Sequence, residues 1–313
     1  MKKKIRVGVV GVGHLGQHHA RIYSQMPGVE LVGVMDINPR RAREVGQRLG
    51  VAYFTELAPL LERIEAASVA VPTISHYTVT KQLLEEGIDV LVEKPIASSR
   101  EEARELITTA SHRSCMLQVG HVERFNNGFK MLQKLVKDPL FIECHRLGSF
   151  VDRGTDVDVV LDLMIHDIDI VLCLERSALK QISAVGISVL SPHVDIANAR
   201  LEFESGCVAN LTSSRVSMEK MRRIRVFQED AYLALNFATQ EISCYRKEKS
   251  DRLSPHGLPY ILREEIEVEK GEPLKSELES FIHCVRRRTR PLVSGEEAER
   301  SLAVACEIKE KFR

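Results

Sequence analysis

Three groups of residues in this chain have the types and the spacing to do chemistry. Gly11, Gly13 and Gly16 form a G-x-G-x-x-G run (GVGHLG), and Asp36 stands twenty residues after the last of them. Gly11 permits a tight turn, Gly13 lets a pyrophosphate approach the backbone, and Gly16 lets a helix pack closely on the preceding strand. His14 and Leu15 fall where that helix begins, and a helix N-terminus offers N–H groups and partial positive charge to phosphates. Asp36 can accept hydrogen bonds from ribose hydroxyls and would repel a 2′-phosphate, which predicts NAD(H) over NADP(H). Arg40 and Arg41 stand near enough in sequence to reach such a phosphate. The plain alternative is three turn glycines without a ligand; the strand before them, the helix after them and the placing of Asp36 speak against it.

The second group is Glu93-Lys94-Pro95, which closes an apolar run, DVLVEKP. The carboxyl end of a strand in such a sheet faces the cofactor crevice, so Lys94 is placed to act there; a solvated lysine at a strand end is the plain reading. The third is Asp162 and His166, four apart in a strongly apolar helical segment and therefore on one helix face. A neutral imidazole is a suitable base near neutral pH, and Asp162 can hold or tune it; a satisfied core histidine is the plain reading. Together the groups suit alcohol oxidation. His166 takes the hydroxyl proton, Lys94 stabilises charge on the same oxygen, and a nicotinamide accepts hydride.

The elements that must position these residues change character along the chain. Over the first 120 residues apolar runs at 5–10, 30–35, 66–71, 90–92 and 116–119 alternate with helical patterns at 15–25, 39–49, 76–86 and 100–112. That alternation predicts an α/β Rossmann domain, a doubly wound parallel sheet covered by helices. Beyond it come helices at 126–137 and 158–174. Strands then follow without crossovers at 181–190, 196–204, 207–217, 222–229, 231–237 and 241–246, which predicts an α+β domain with a large, mostly antiparallel open sheet. Helices return at 272–288 and 295–312. Ser99/Glu102 and Ser294/Glu297 have capping-box spacing, and 248–260 reads as a loop.

Composition narrows the classes. The 313 residues carry 44 basic and 44 acidic side chains, so nothing draws the chain to nucleic acid or to an anionic membrane. No run is long and apolar enough for a membrane span, and the basic start before Ile5 lacks the continuous apolar core of a signal peptide. Seven cysteines without a C-x-x-C pair fit reduced thiols and a cytoplasmic protein. Arg286, Arg287, Arg288 and Arg290 suit the negative end of a helix. His121-Val122-Glu123 matches half of a deaminase signature without its cysteines, Ser217–Lys220 matches S-x-x-K without companion motifs, and no metal is expected.

With Gly11–Gly16, Asp36, Glu93-Lys94-Pro95 and Asp162/His166 in this order, the chain resembles the Gfo/Idh/MocA family of oxidoreductases over essentially its whole length. The resemblance implies that Lys94 is the family's lysine and His166 its catalytic histidine. It implies that Val71–His76 (VPTISH) is the cofactor loop, placing Pro72, Thr73 and His76, with Glu93 and Lys94, on the cofactor. It implies a Rossmann domain over 1–121, a substrate and oligomerisation domain over 122–290, and a helix over 291–313 packing back on the first. A homodimer or homotetramer through the open sheet follows as well.

Within the family, Val119–Asn126 (VGHVERFN) and Arg153–Asp158 (RGTDVD) look most like a bacterial branch that oxidises the 3-hydroxyl of UDP-N-acetylglucosamine on the way to an amino sugar of lipid A. That implies a UDP-sugar substrate, with Arg124, Asn126 and Arg153 touching sugar or diphosphate beside Lys94 and His166; surface salt bridges or turn residues are the plain readings. Arg153-Gly154 departs from the Gly-Gly often found there, which argues against simple polyols. Another UDP-sugar, an inositol or a free sugar stays open as substrate. A non-catalytic NAD-binding sensor is the alternative from a different class.

Overall fold

The computed structural model describes residues 3–150, 157–248 and 259–312. They fall into two compact units, Met1–Val122 with Leu274–Ala303, and Glu123–Pro273 with Val304–Arg313. No helix among the described residues is long and apolar enough to cross a membrane.

The first unit carries a parallel sheet of β1 (Ile5–Val10), β2 (Val29–Met35), β3 (Ala52–Phe54), β4 (Ala66–Val69), β5 (Asp89–Glu93) and β6 (Leu117–Gly120), in the order β3-β2-β1-β4-β5-β6. Its helices are α1 (Gly16–Gln25), α2 (Pro39–Leu49), the short α3 (Ala58–Leu61), α4 (His76–Glu85) and α5 (Arg100–His112). Every residue of β4, β5 and β6 is buried, as continuous apolar runs require in a sheet covered on both faces. The order reverses between β1 and β4, and a ligand crevice opens at their carboxyl ends. Caps fix where the helices begin. Asn38 Oδ1 accepts from the N–H groups of Arg40 and Arg41 before Pro39–Leu49, and Gly50 at φ 67° ends that helix. Ser99 Oγ accepts from Glu102 N, while the Glu102 carboxylate accepts from Ser98 N, one residue ahead of the cap.

The second unit holds α6 (Asn127–Leu135), α7 (Ile165–Leu174) and an eight-stranded sheet. The strands are β7 (Phe141–Leu147), β8 (Leu179–Ile187), β9 (Ile196–Phe203), β10 (Val208–Ser214), β11 (Met221–Phe227), β12 (Ala231–Asn236), β13 (Glu241–Lys247) and β14 (Ile261–Glu265), ordered β14-β13-β12-β11-β7-β10-β9-β8. All neighbours are antiparallel except β7 and β10. α6 and α7 pack on one face. On the strands' alternate residues Phe141, Phe227, Tyr232 and Tyr245 form a row, with successive ring centroids 5.7, 5.0 and 6.0 Å apart. The expected loop at 248–260 lies almost wholly outside the described residues.

The chain closes with α8 (Pro273–Arg287) and α9 (Gly295–Glu310). Leu278, Phe281, Ile282 and Val285 complete the core that Val7, Val9, Tyr23 and Val29 begin, so residues 274–303 belong with the first unit. Val119 N donates to Val293 O, which adds residues 293–294 to the edge of the parallel sheet beside β6. Residues 304–313 belong with the second unit. The Ser294 hydroxyl, just ahead of α9, donates to Glu296 at 2.5 Å.

Candidate active site

The glycine turn follows β1, where Gly11 N donates to Met35 O and Ala70 N to Val10 O, so the turn is stitched to β2 and β4. Gly11 sits at φ +82°, and a Cβ on it would lie 2.6 Å from Ala70 O. A Cβ on Gly16 would lie 1.8 Å from Gly11 O. Gly13 differs, because in front of it the nearest atom is Arg41 Nη1 at 3.7 Å, and its backbone is open to approach. A cavity of about 310 Å³ begins there, lined by Gly13, His14, Gln17, Arg41, Glu44 and Arg48. The buried Asp36 is aimed by two bonds: Oδ2 accepts from Val12 N at 3.0 Å and Oδ1 from Asn38 N at 2.9 Å. A carboxylate offers about four acceptor sites, so ribose hydroxyls can still be received. Arg41 Nη1 stands 3.6 Å from Asp36 Oδ2. These residues fit a dinucleotide.

Lys94, half-buried, follows the last residue of β5, and its bond to Pro95 is cis. Glu93 beside it is buried and meets His19 Nε2 at 3.1 Å. Burial works against the Glu93 carboxylate, but His19, Lys94 and His76 outweigh it and hold its pKa below the usual value. Glu93 is therefore committed to the interior. The cofactor loop places Pro72 at the surface and Thr73 half-buried, opening a short turn over Thr73–Ser75. His76, expected on the cofactor, is turned inward. It is 1% exposed, with Nδ1 2.7 Å from Pro95 O and Nε2 2.9 Å from Val71 O. Burial lowers its pKa. His76 is a brace between the loop after β4 and the loop after β5.

In the second unit the expected helix at 158–174 is not α-helical throughout. Val160–Met164 forms a π-turn that leads into α7, a distortion that recurs at functional sites. Asp158 sets its start, with Oδ1 accepting from Val160 N and Leu161 N and Oδ2 2.8 Å from Lys309 Nζ. Asp162 and His166 are both half-buried in a segment whose other residues from Val159 to Val171, Leu163 apart, are buried. They therefore share the accessible side of a helix otherwise sunk in the fold.

The expected substrate contacts fare differently. Asn126 is 1% exposed and caps α6: Oδ1 accepts from Gly128 N and Phe129 N, and Nδ2 donates to Glu123 Oε2 and Phe237 O. Its donor and acceptor groups are spent on the fold. Arg124 is buried, with Nε 3.8 Å from Asp169 Oδ2. Arg153 lies outside the described residues.

Comparison with known proteins decides the family. Residues 5–121 match the model of an oxidoreductase family with an NAD-binding Rossmann fold, and residues 136–234 match the Gfo/Idh/MocA C-terminal domain. The chain belongs to the Gfo/Idh/MocA family. It is 33% identical over 306 residues to UDP-N-acetylglucosamine 3-dehydrogenase of Acidithiobacillus ferrooxidans, covering 97% of this chain and 96% of that one. A solved structure of that enzyme superposes with a TM-score of 0.91 at 32% identity, over 99% of this chain and 98% of its own. The scyllo-inositol 2-dehydrogenase (NAD(+)) of Bacillus subtilis is 26% identical over 100% of this chain and 95% of its own length. This Gfo/Idh/MocA protein is thus an oxidoreductase with an NAD-binding Rossmann domain.

The Gfo/Idh/MocA chain also holds α7 by charges that sequence reading passed over. Arg146 on β7, 4% exposed, donates from Nε and Nη2 to both oxygens of Asp167 at 3.1 and 2.8 Å, and from Nη1 to Glu123 Oε1 at 3.1 Å. Burial disfavours its charge, but the two carboxylates prevail and raise its pKa. Asp167 lies next to His166, so this fork fixes the rotation of α7. A second knot fixes the approach to the π-turn. Arg215 Nε donates to Asp195 Oδ1 at 2.8 Å and Nη1 to Val157 O at 2.9 Å, while Asp195 Oδ2 accepts from three successive N–H groups, Val189 to Ser191.

Proposed function

We propose that the protein is an NAD-dependent sugar-nucleotide dehydrogenase that oxidises the 3-hydroxyl of UDP-N-acetylglucosamine to a ketone, towards an amino sugar of lipid A. The observation that carries this is end-to-end likeness to an enzyme of that name, together with Lys94 at the strand end and His166 on the accessible side of α7. Bound NAD supplies the hydride acceptor. His166 takes the proton of the hydroxyl as general base. Lys94 hydrogen-bonds the same oxygen and stabilises its developing negative charge. Asp162, four residues before His166, orients the imidazole. Arg124 and Arg153 serve the diphosphate, for which a guanidinium fork is suited. Free thiols at all seven cysteines support a reducing, cytoplasmic setting. The aromatic row on the open sheet supports a homodimer or homotetramer; a mass of one chain by light scattering would remove that part.

The test is incubation with NAD and UDP-N-acetylglucosamine, with L-glutamate and an aminotransferase to draw off the ketone as an amine. NADH and a product two mass units below the substrate are expected when the coupling is omitted and enzyme is in excess. Turnover of scyllo-inositol alone would transfer the reading to polyols, and no turnover of any sugar or polyol would leave the sensor. For the cofactor, Asp36→Ala is expected to weaken NADH binding roughly tenfold or more, the worth of about 1.5–3 kcal/mol for a charge-assisted hydrogen bond. Unchanged NADH affinity by titration would remove Asp36 from the ribose.

A further inference from the structure

One face of the parallel sheet is polar where a core should be apolar. Register places Ser68, Leu91 and Gln118 side by side on β4, β5 and β6, and Glu93 beside Gly120 one step nearer the carboxyl ends. α1 lays His19 against Glu93, and Tyr23 one turn on against Ser68 at 2.9 Å. α8 brings Glu277 over Gln118, whose Nε2 donates to Glu277 O at 3.3 Å. His19, Tyr23, Ser68, Gln118 and Glu277 are all 0% exposed. Yet both carboxyl oxygens of Glu277, Gln118 Oε1 and His19 Nδ1 have no hydrogen-bond partner among the described residues. Buried groups of this kind are bridged by internal water or hold a proton for a reason, since leaving them bare is costly.

Charge decides where the proton sits. Two buried carboxyl groups share this layer, Glu93 and Glu277, and the ionisable groups around them are His19 and Tyr23 on α1, with His76 and Lys94 at the loop ends. Glu93 has His19 at hydrogen-bonding distance and is the one that ionises. Among the described residues Glu277 has no cation of its own; burial first, and then the Glu93 charge, raise its pKa well above the usual value. Like charges in one dry site cannot both be held, so the second carboxyl stays an acid. A neutral acid has an O–H to donate, and the ionised Glu93 is the acceptor in the layer.

We propose that Glu277 is a positioning residue for Lys94: its carboxyl group donates, through buried water, to the Glu93–His19 pair and so fixes the strand end that carries Lys94. The role rests on the assignment of Lys94 to catalysis made above. An amide of the same shape can donate in place of the acid, whereas an apolar side chain cannot.

The experiment compares the wild type with Glu277→Gln and Glu277→Leu by two measurements. In turnover, E277L is expected to lose about tenfold or more in kcat, the worth of one hydrogen bond to a charged group, with NADH affinity and KM little changed, and E277Q is expected to restore it. In thermal unfolding without substrate, the acid's raised folded-state pKa means the native state keeps a proton that the unfolded chain gives up above about pH 4.5. The contribution of Glu277 to wild-type stability therefore falls as pH rises from there, and the Tm of E277Q relative to wild type should climb steadily between about pH 5 and 8. A constant Tm difference across that range would show Glu277 ionised and overturn the proposal, as would wild-type kcat in E277L or an E277Q as impaired as E277L. Absence of turnover in the wild type itself would overturn the dehydrogenase reading instead, and the unfolding arm would still decide the protonation of Glu277.

Discussion

His166→Ala should lower kcat by about 10²–10⁴-fold, the usual worth of a positioned general base. Lys94→Ala should cost a comparable amount, about 10²–10³-fold, as removal of a donor to a developing oxyanion does. NADH should still bind to both, because the glycine turn and Asp36 are built from other elements of the chain. The pair of results matters more than either alone. Loss of turnover together with loss of NADH binding would mean that the substitution had damaged the Rossmann unit. Near wild-type turnover in either variant would remove that residue from the chemistry. Steady-state kinetics, with NADH titrated by fluorescence, separates these cases, and the double variant should be little worse than the poorer single one if the two groups serve one oxygen.

Arg146→Met should destabilise the protein by about 3–5 kcal/mol, the cost of breaking a buried ion pair from one side. Asp167 is left with an uncompensated carboxylate at 2–3% exposure, and Glu123 loses a partner. Replacing the carboxylates too, as Arg146→Met with Asp167→Asn and Glu123→Gln, should recover much of the loss, since a buried pair contributes little net stability. Urea denaturation of the three proteins measures both numbers. A single variant within about 1 kcal/mol of wild type would mean that the fork is wet or dispensable.

Much of this was open to reading from the residue pattern, and the exceptions have physical causes. β1, β2 and β5 announce themselves because parallel strands buried on both faces are continuous apolar runs. The glycine turn was legible because each glycine answers a different steric demand. β7 was missed because its inward positions are Ile142, Cys144 and Arg146, and a buried arginine breaks the alternation that marks a strand. β3 and β14 are short or carry charge at the sheet edge, where periodicity says little. Asn126 and His76 were legible as polar residues at the right places, but not as spent ones; only the structure shows their donors and acceptors turned inward. Asn126 did leave a signal, for an asparagine before a helical pattern is first of all a cap. Glu277 left none, since an acid in an amphipathic helix reads as solvated. The π-turn is invisible because one extra residue in a helical turn leaves no mark on an apolar run.

The return of α8 to the first unit bears on how this chain comes off the ribosome. Every strand of the parallel sheet has been synthesised by Gly120, yet the side chains that close its core, Leu278, Phe281 and Ile282, come about 150 residues later. At about 5–20 residues per second that is a wait of roughly 8–30 s. Through that interval the nascent chain shows an unfilled apolar groove around Val7, Tyr23 and Val29, which is the kind of surface that holding chaperones bind. A fragment ending at residue 122 keeps that groove for good, and it should aggregate where the full chain dissolves.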